Sequence, residues 1–159
     1  MKSIWINERE NMEAIIDSCE YCTVSMADQN TPYGIPMTFL YEEGILYLHS
    51  GPGGKKEEIL AKNKKVSVSF TDPNTQLVYR DVHIGCSYGL KCRSVIARGE
   101  VEFLENVEEK RIILDKYMAK YTKQAVKYSL PALKNLILWK IKLIDTQGKA
   151  MGLDPKTLK

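Results

Sequence analysis

The sequence predicts an α+β fold whose centre is an antiparallel sheet curled toward a barrel. Three observations carry that expectation. Short strand-like runs follow one another through tight turns, and such neighbours pair antiparallel because parallel pairing needs long crossovers. A long strand-like span, Arg93 to Leu104, holds Gly99 within it, which suggests a bend or bulge of the kind that lets a sheet curl. Helical segments fall between groups of strands rather than after every strand.

In chain order, Arg9 to Ser18 places Met12, Ile15 and Ile16 on one face of a short helix. Glu20 to Ala27 alternates Cys22, Val24 and Met26 against Thr23 and Ser25, a first strand, and Asp28–Pro32 is a turn. Tyr33 to Tyr41 reads as a second strand interrupted by Pro36, which marks an edge, a bulge or a place where something faces the backbone. Glu42-Glu43-Gly44 closes a hairpin into Ile45–His49, and the three strands read as a meander. A helix from Lys55 to Lys62 turns Ile59 and Leu60 inward, and Val66–Thr71 is a strictly alternating strand. Residues 77–87 are β-prone but poorly patterned. After Arg93–Leu104, Asn106 caps a helix running to about Tyr121, with Glu109 as the capping-box partner. Its stripe of Ile113, Leu114, Tyr117 and Met118 is core or dimer surface. A short helix broken at Pro131 follows, then a last strand, Leu136–Ile144, with Ile137, Trp139, Ile141 and Leu143 on one face and Lys140 and Lys142 on the other. The polar tail from Asp145 is expected to lie over the surface.

At 159 residues, 44% apolar and 27% charged, the chain is expected to form one domain, residues 1–159, with a core that needs no staples. Its net charge of +3 is small and dispersed, which argues against nucleic-acid or membrane-surface binding. No segment has the apolar length to span a bilayer, and charged residues follow the N-terminus at once, so a cytoplasmic location is expected. Of the four cysteines, Cys19 and Cys22 form a C-x-x-C, whereas Cys86 and Cys92 are spaced too widely for a ligand knuckle. A redox pair, half of a zinc site and four reduced, largely buried thiols all fit this pattern, and the last needs the fewest assumptions.

The chemistry concentrates in Ile45 to Lys62. An apolar strand ends at His49-Ser50, passes through Gly51, Pro52, Gly53 and Gly54, and enters a helix through Lys55 and Lys56. A glycine turn at a helix start presents free amides and the positive end of the helix dipole, and two cations there oppose that dipole. A bound phosphate would relieve the conflict; a plain solvated helix start is the other reading. Neither the Walker nor the GxGxxG pattern is present. Hydrolase and metalloenzyme motifs are also missing, so an enzyme of this kind would borrow its chemistry from a cofactor. His49 is the candidate for catalysis, against a structural role; His83 reads as surface or structural.

The run Pro32-Tyr33-Gly34-Ile35-Pro36-Met37-Thr38-Phe39, then Gly44-Ile45-Leu46-Tyr47-Leu48-His49-Ser50, then Gly54-Lys55-Lys56, resembles the pyridoxamine 5′-phosphate oxidase-like flavoproteins. It is most similar to the branch that includes the 5-nitroimidazole-resistance proteins. Asn63, Cys86, Arg93-Ser94-Val95-Ile96 with Gly99, and Gly148-Lys149 extend the likeness over most of the chain. The resemblance implies an antiparallel split β-barrel with flanking helices that dimerises and binds FMN at the subunit interface. It implies a phosphate contact from Lys56, assisted by Lys55 and the Ser94 region. Pro36, Met37 and Thr38 would line the flavin ring, with His49 and Ser50 along the ribityl and phosphate side. His49 is the one catalytic residue it suggests.

The implied activity is electron transfer from a reduced nicotinamide through FMN to a small acceptor, of which a nitroaromatic is one candidate. Two alternatives stand beside it: a flavin store or sensor without turnover, and a split-barrel protein holding haem or a deazaflavin. The arginine set of the true pyridoxamine oxidases has no counterpart here, which argues against vitamin B6 synthesis. Arg98 stands where a small or apolar residue is usual, and would contact the cofactor or a neighbouring acid.

Overall fold

A computed structural model describes residues 3–153. Its elements are β1 Ser3–Ile6, α1 Arg9–Ser18, β2 Tyr21–Asp28, β3 Thr31–Thr38, β4 Leu40–Glu42, β5 Ile45–Ser50 and α2 Lys55–Leu60. They continue with β6 Lys65–Thr71, β7 Gln76–Val78, a 3₁₀ turn Gly85–Ser87, β8 Gly89–Leu104, α3 Val107–Tyr121, α4 Leu130–Asn135, β9 Ile137–Lys142 and β10 Ile144–Met151. Pairing among these strands is antiparallel, along the path β3-β2-β6-β8-β9-β5-β4, with β10 and β7 also on β8 and β1 on β10.

The long strand β8 organises this sheet. It pairs with β6 from Ser94 to Glu100. It also pairs with β10 from Cys92 to Arg98, and with β9 from Val101 to Leu104. The registers Ile141↔Val101 and Ile144↔Arg98 have the same sum, so β9 and β10 are one interrupted partner of β8. The interruption is Leu143, whose N–H donates to Gly44 O at 2.9 Å instead of to β8, and Asp145 beyond it has φ 51°. From there the far edges diverge: β9 carries β5, and β10 carries β1. That divergence makes the sheet a split barrel.

Gly99 sits at the split. A Cβ there would lie 2.4 Å from the Ile141 Cγ2 methyl and 2.7 Å from Lys142 O, so only glycine fits the approach. The barrel interior is filled by Val24, Leu46, Leu48, Phe70, Val95, Trp139 and Ile141, closed at one end by Ile15 and Ile16 of α1. A second cluster lies outside the barrel, where Ile113, Leu114 and Tyr117 of α3 and Leu133 of α4 cover Leu40, Tyr47 and Leu138. β5 is therefore buried on both faces, which is why Ile45–Leu48 is an unbroken apolar run.

Several expectations need correction. The tail, expected from Asp145 to Lys159 to lie over the surface, begins instead as a strand: Ile144–Met151 is β10, held between β8 and β1, and residues 154–159 lie outside the described residues. It reads as polar because its inward residue Gly148 must stay small; a Cβ there would lie 2.8 Å from Ile6 Cβ and Met12 Cγ. The N-terminal strand β1 was not expected at all. The meander is two hairpins at opposite ends of the sheet, because the second strand breaks at Phe39 into β3 and β4. Phe39 is fully buried, and the Tyr121 hydroxyl stands in for a sheet partner, accepting from the Phe39 N–H at 2.9 Å and lying 2.8 Å from its carbonyl. Pro131 opens α4 rather than breaking it, with Ser129 as N-cap. Leu138, opposite Trp139, is fully buried because α3 covers that face. The expected cap is present: Asn106 Oδ1 accepts from the Glu108 and Glu109 amides at 3.0 Å.

Gly99→Ala should destabilise the protein by about 1–3 kcal/mol, the range for overpacking a filled site. Urea unfolding measures it; an unchanged midpoint would show that β8 and β9 can separate without cost.

Candidate functional site

The residues singled out from the sequence fall into three groups. The first is the start of α2. Gly53 and Gly54 have φ 81° and 90°, which turns the chain out of β5 and into a helix of six residues. The Gly53 N–H donates to Glu57 Oε1 at 2.8 Å, so the helix supplies its own acceptor to the loop. Lys55 Nζ lies 2.6 Å from Asp28 Oδ2, and Lys62 Nζ lies 3.7 Å from Asp28 Oδ1. The Lys55 hydrogen bond holds the Asp28 carboxyl below the usual carboxylate range, and Asp28 in turn raises Lys55. Lys56 differs. Its ammonium donates to Gly53 O at 3.0 Å, and no described carboxylate lies within ion-pair distance of it. Of the two cations expected to await an anion, Lys55 already has one within the chain.

The second group is the outer face of β3, an edge strand, where a proline is tolerated. Gly34, Pro36 and Thr38 are exposed there, while Met37 points the other way and packs against the barrel core. Met37 can line a ligand only through its backbone. The neighbouring positions on this face are uncharged and, apart from the exposed Tyr21 opposite Thr38, small: Thr23 opposite Pro36, Ser25 opposite Gly34, then Ser69 and Ser67. A Cβ on Gly34 would meet Ser25 Oγ at 3.7 Å. Ser94 lies on β8, three strands from β3, in register with Thr71 and Lys149. Arg98, beyond it, pairs with the neighbouring acid Asp145 at 3.0 Å.

The third group is built on Tyr117. Its hydroxyl donates to Thr38 Oγ1 at 2.6 Å, and its ring meets the His49 ring edge-to-face with centroids 4.8 Å apart. Thr38 and His49, 11 residues apart on different strands, are thus joined by one residue of α3. Burial lowers the His49 pKa, which favours the neutral ring, and raises the Tyr117 phenol. His49 Nδ1 and Ser50 Oγ are both buried without a hydrogen-bond partner. They do not share a direction, because strand alternation sends His49 toward α3 with Tyr47 and Ser50 toward the barrel side with Leu48.

Tyr117 was read from the sequence as apolar stripe. The available signal was its hydroxyl, since a buried tyrosine has to place that group on a partner.

Cys19, Cys22 and Cys92 are buried and Cys86 is exposed. The Cys19 thiol donates toward Ile15 O and Thr71 O, each at 3.2 Å, and burial pushes the Cys22 thiol up to about 12, an inert setting. Among the described residues no group of His, Cys, Asp and Glu could hold a metal ion, and no helix is long and apolar enough to cross a membrane. A cavity of about 540 Å³ lies between α1 and the β4–β5 turn, where Tyr41 OH donates to Glu13 Oε1. Another, of about 550 Å³, lies below the end of α3. Neither is lined by Pro36, Thr38, His49, Ser50, Lys55, Lys56 or Ser94.

Residues 8–148 match a family model described as pyridoxamine 5′-phosphate oxidase. No curated protein matches the chain. Among solved structures, a protein proposed to confer 5-nitroimidazole antibiotic resistance, from Bacteroides thetaiotaomicron, is 41% identical; the match covers 93% of this chain and 87% of that one, with a TM-score of 0.82. The FAD and haem binding protein from Mycobacterium smegmatis shares the fold at 19% identity and TM-score 0.80, over 97% of this chain and 78% of that one. An F420 reductase does so at 15% identity and TM-score 0.63, over 89% and 98%. On the family match and the 41% relative, the chain belongs to the pyridoxamine 5′-phosphate oxidase-like family of split-barrel proteins.

Proposed function

We propose that this chain is an FMN-dependent oxidoreductase that works as a homodimer and takes electrons from a reduced nicotinamide to a small acceptor. A nitroaromatic is the acceptor class suggested by the description of the 41% identical relative. The observation that carries the reading is the Thr38–Tyr117–His49 constellation beside the exposed Gly34/Pro36/Thr38 face. FMN fits the residues present. Around Gly34 and Pro36 the face is uncharged and carries small side chains, with the exposed ring of Tyr21 opposite Thr38 at its end, room that a planar ring requires. His49 Nδ1, on the α3 side of β5, is a buried polar atom without a partner, and Lys56 has no described carboxylate within ion-pair distance.

Bound FMN supplies the redox chemistry, accepting an electron pair from a donor and releasing it to an acceptor. The chain's own residues bind and orient. Lys56 would meet the phosphate. Pro36 and the backbone of Met37 would support the ring. Tyr117 donates to the Thr38 oxygen, which leaves the Thr38 hydroxyl able to donate to a ligand on the exposed face. His49, kept neutral by burial, can hold a proton on one ring nitrogen and accept through the other. The unpartnered His49 nitrogen also suits a haem ligand, so a haem-binding protein is the second reading.

The absorption spectrum of the purified protein, followed by addition of NADPH, tests both. Flavin bands that bleach on NADPH and recover with a nitroimidazole support the oxidoreductase. A Soret band supports the haem reading, and flavin that never bleaches leaves a flavin store or sensor.

Lys56→Ala should weaken FMN binding by about 1.5–3 kcal/mol, the worth of a charge-assisted hydrogen bond. Lys55→Ala should lose less, because Asp28 already offsets that charge. Fluorescence titration separates them, and equal losses would return both lysines to the phosphate.

His49 gives a pH signature. Its folded pKa lies below the unfolded value of about 6.5, so its contribution is complete above that pH and stability falls as pH drops toward the folded value. His49→Gln should flatten the decline in melting temperature between roughly pH 7 and 5; parallel curves for the two proteins would mean that the His49 pKa does not differ between the folded and unfolded states.

A further inference from the structure

Among the described residues two charged side chains are buried, Asp72 and Lys110, each 5% exposed. Asp72 is answered: Arg93 reaches its Oδ2 through Nε at 2.7 Å and through a terminal nitrogen at 2.6 Å. Lys110, at the end of the first turn of α3, is not. Its ammonium donates to Leu136 O, the carbonyl that closes α4, at 2.7 Å, and no described carboxylate lies within ion-pair distance of it. An ammonium has three N–H donors, so two are left over. A neutral carbonyl satisfies one donor but leaves the charge, and a buried charge is costly until an opposite charge meets it.

Lys110 lines a cavity of about 300 Å³ at the end of the barrel where β8 stops and β9 begins. That volume is at the small end of ligand pockets. Phe103, Leu104 and Ile137 give the cavity apolar walls, and two acids, Glu57 and Glu105, complete its charged lining. Glu57 is half-buried and already engaged, because its Oε1 accepts from the Gly53 N–H at 2.8 Å. Glu105 is exposed and has no described partner. The cavity therefore offers a buried cation, apolar walls and a carboxylate closer to solvent. A plain anion would meet Lys110 but face two acids, and a plain amine would face the lysine. A molecule that carries both charges answers each.

We propose that this cavity binds a free α-amino acid with an apolar side chain, its carboxylate on Lys110, its ammonium toward Glu105 and its side chain against Phe103 and Ile137. An α-amino acid holds its two charges on one carbon, and Glu105 and Lys110 stand five residues apart at the junction of β8 and α3. The carboxylate supplies the counter-charge and the acceptors that the buried ammonium lacks. The site does not rest on the flavin reading, since none of Pro36, Thr38, His49 and Lys56 lines it.

Calorimetric titration of the purified protein with L-leucine tests it, beside two analogues that each lack one charge, 4-methylpentanoate and 3-methylbutylamine. Leucine should bind at least tenfold more tightly than either. Lys110→Met, which keeps the apolar stem and removes the charge, should bind leucine at least tenfold more weakly, because the ligand carboxylate would then be buried unpaired. Glu105→Gln should lose the preference for leucine over 4-methylpentanoate. Circular dichroism checks the fold of each variant; should Lys110→Met not fold, Glu105→Gln, at an exposed position, and the two analogues decide. A wild type that binds no leucine at millimolar concentration overturns the proposal. So do equal affinities for leucine and 4-methylpentanoate, or an unchanged leucine affinity in folded Lys110→Met. A Lys110 that serves only to tie α3 to Leu136 would leave leucine binding the same in wild type and both variants.

Discussion

The fold turns on one close approach. At Gly99 the β8 backbone comes so near to β9 that the Ile141 methyl and the Lys142 carbonyl occupy the space a side chain would need. That contact pins β8 to its interrupted partner at the residue before which the partner splits. Leu143 can then give its amide to Gly44, and β9 and β10 can lead to different neighbours. Without the split, β5 would have no place beside β9, and the His49 end of β5 would not reach α3.

Helix α3 converts that geometry into a site. Tyr117 and Tyr121 are four residues apart, on one face of the helix, with rings 5.3 Å apart. Tyr121 satisfies the backbone where β3 leaves the sheet at Phe39, and Lys120, between them, places its ammonium 3.4 Å from the centre of the Phe39 ring and donates to Cys19 O. Tyr117 then holds the last residue of β3, Thr38, and flanks the ring of His49. The same helix therefore fixes the break between β3 and β4 and the two polar side chains that stand on either side of it. A change that loosens α3 reaches the site through these contacts rather than through the sheet.

What was legible in the sequence was local. The Asn106 cap, the alternation of Val66–Phe70 and the unbroken run Ile45–Leu48 each state their structure within a few residues. Pro36 inside a strand pattern did mark an edge. β10 was illegible because Gly148 is small for the sake of Ile6 and Met12, more than 130 residues earlier. Residues 77–87 were poorly patterned for a related reason: Leu77, Tyr79, Val82 and Ile84 are all exposed in the protomer, so no single inward face sets a period. In the site, Lys55 looked free because Asp28 is 27 residues away, and Tyr117 looked like core because its apolar ring matched the stripe while its hydroxyl served Thr38.

Two features of the described protomer are costly unless something else in the structure answers them. Burial alone would leave His49 Nδ1 and Ser50 Oγ as plain losses, since an unpaired buried polar atom costs about 1–3 kcal/mol and gives the fold nothing back. Exposure alone would leave the leucines and tyrosines of residues 77–90 as a similar loss in water. Packing satisfies neither set within the described protomer, although packing elsewhere is close enough to forbid a methyl at Gly99 and Gly148. Tyr128 OH and Trp139 Nε1 are unpartnered in the same way, Trp139 inside the barrel, so an orphaned polar atom does not by itself mark a ligand. What sets His49 apart is its place: its ring lies edge-to-face on Tyr117, and the Tyr117 hydroxyl already bonds Thr38 at the exposed end of β3, so one helix joins the orphaned nitrogen to the open strand face.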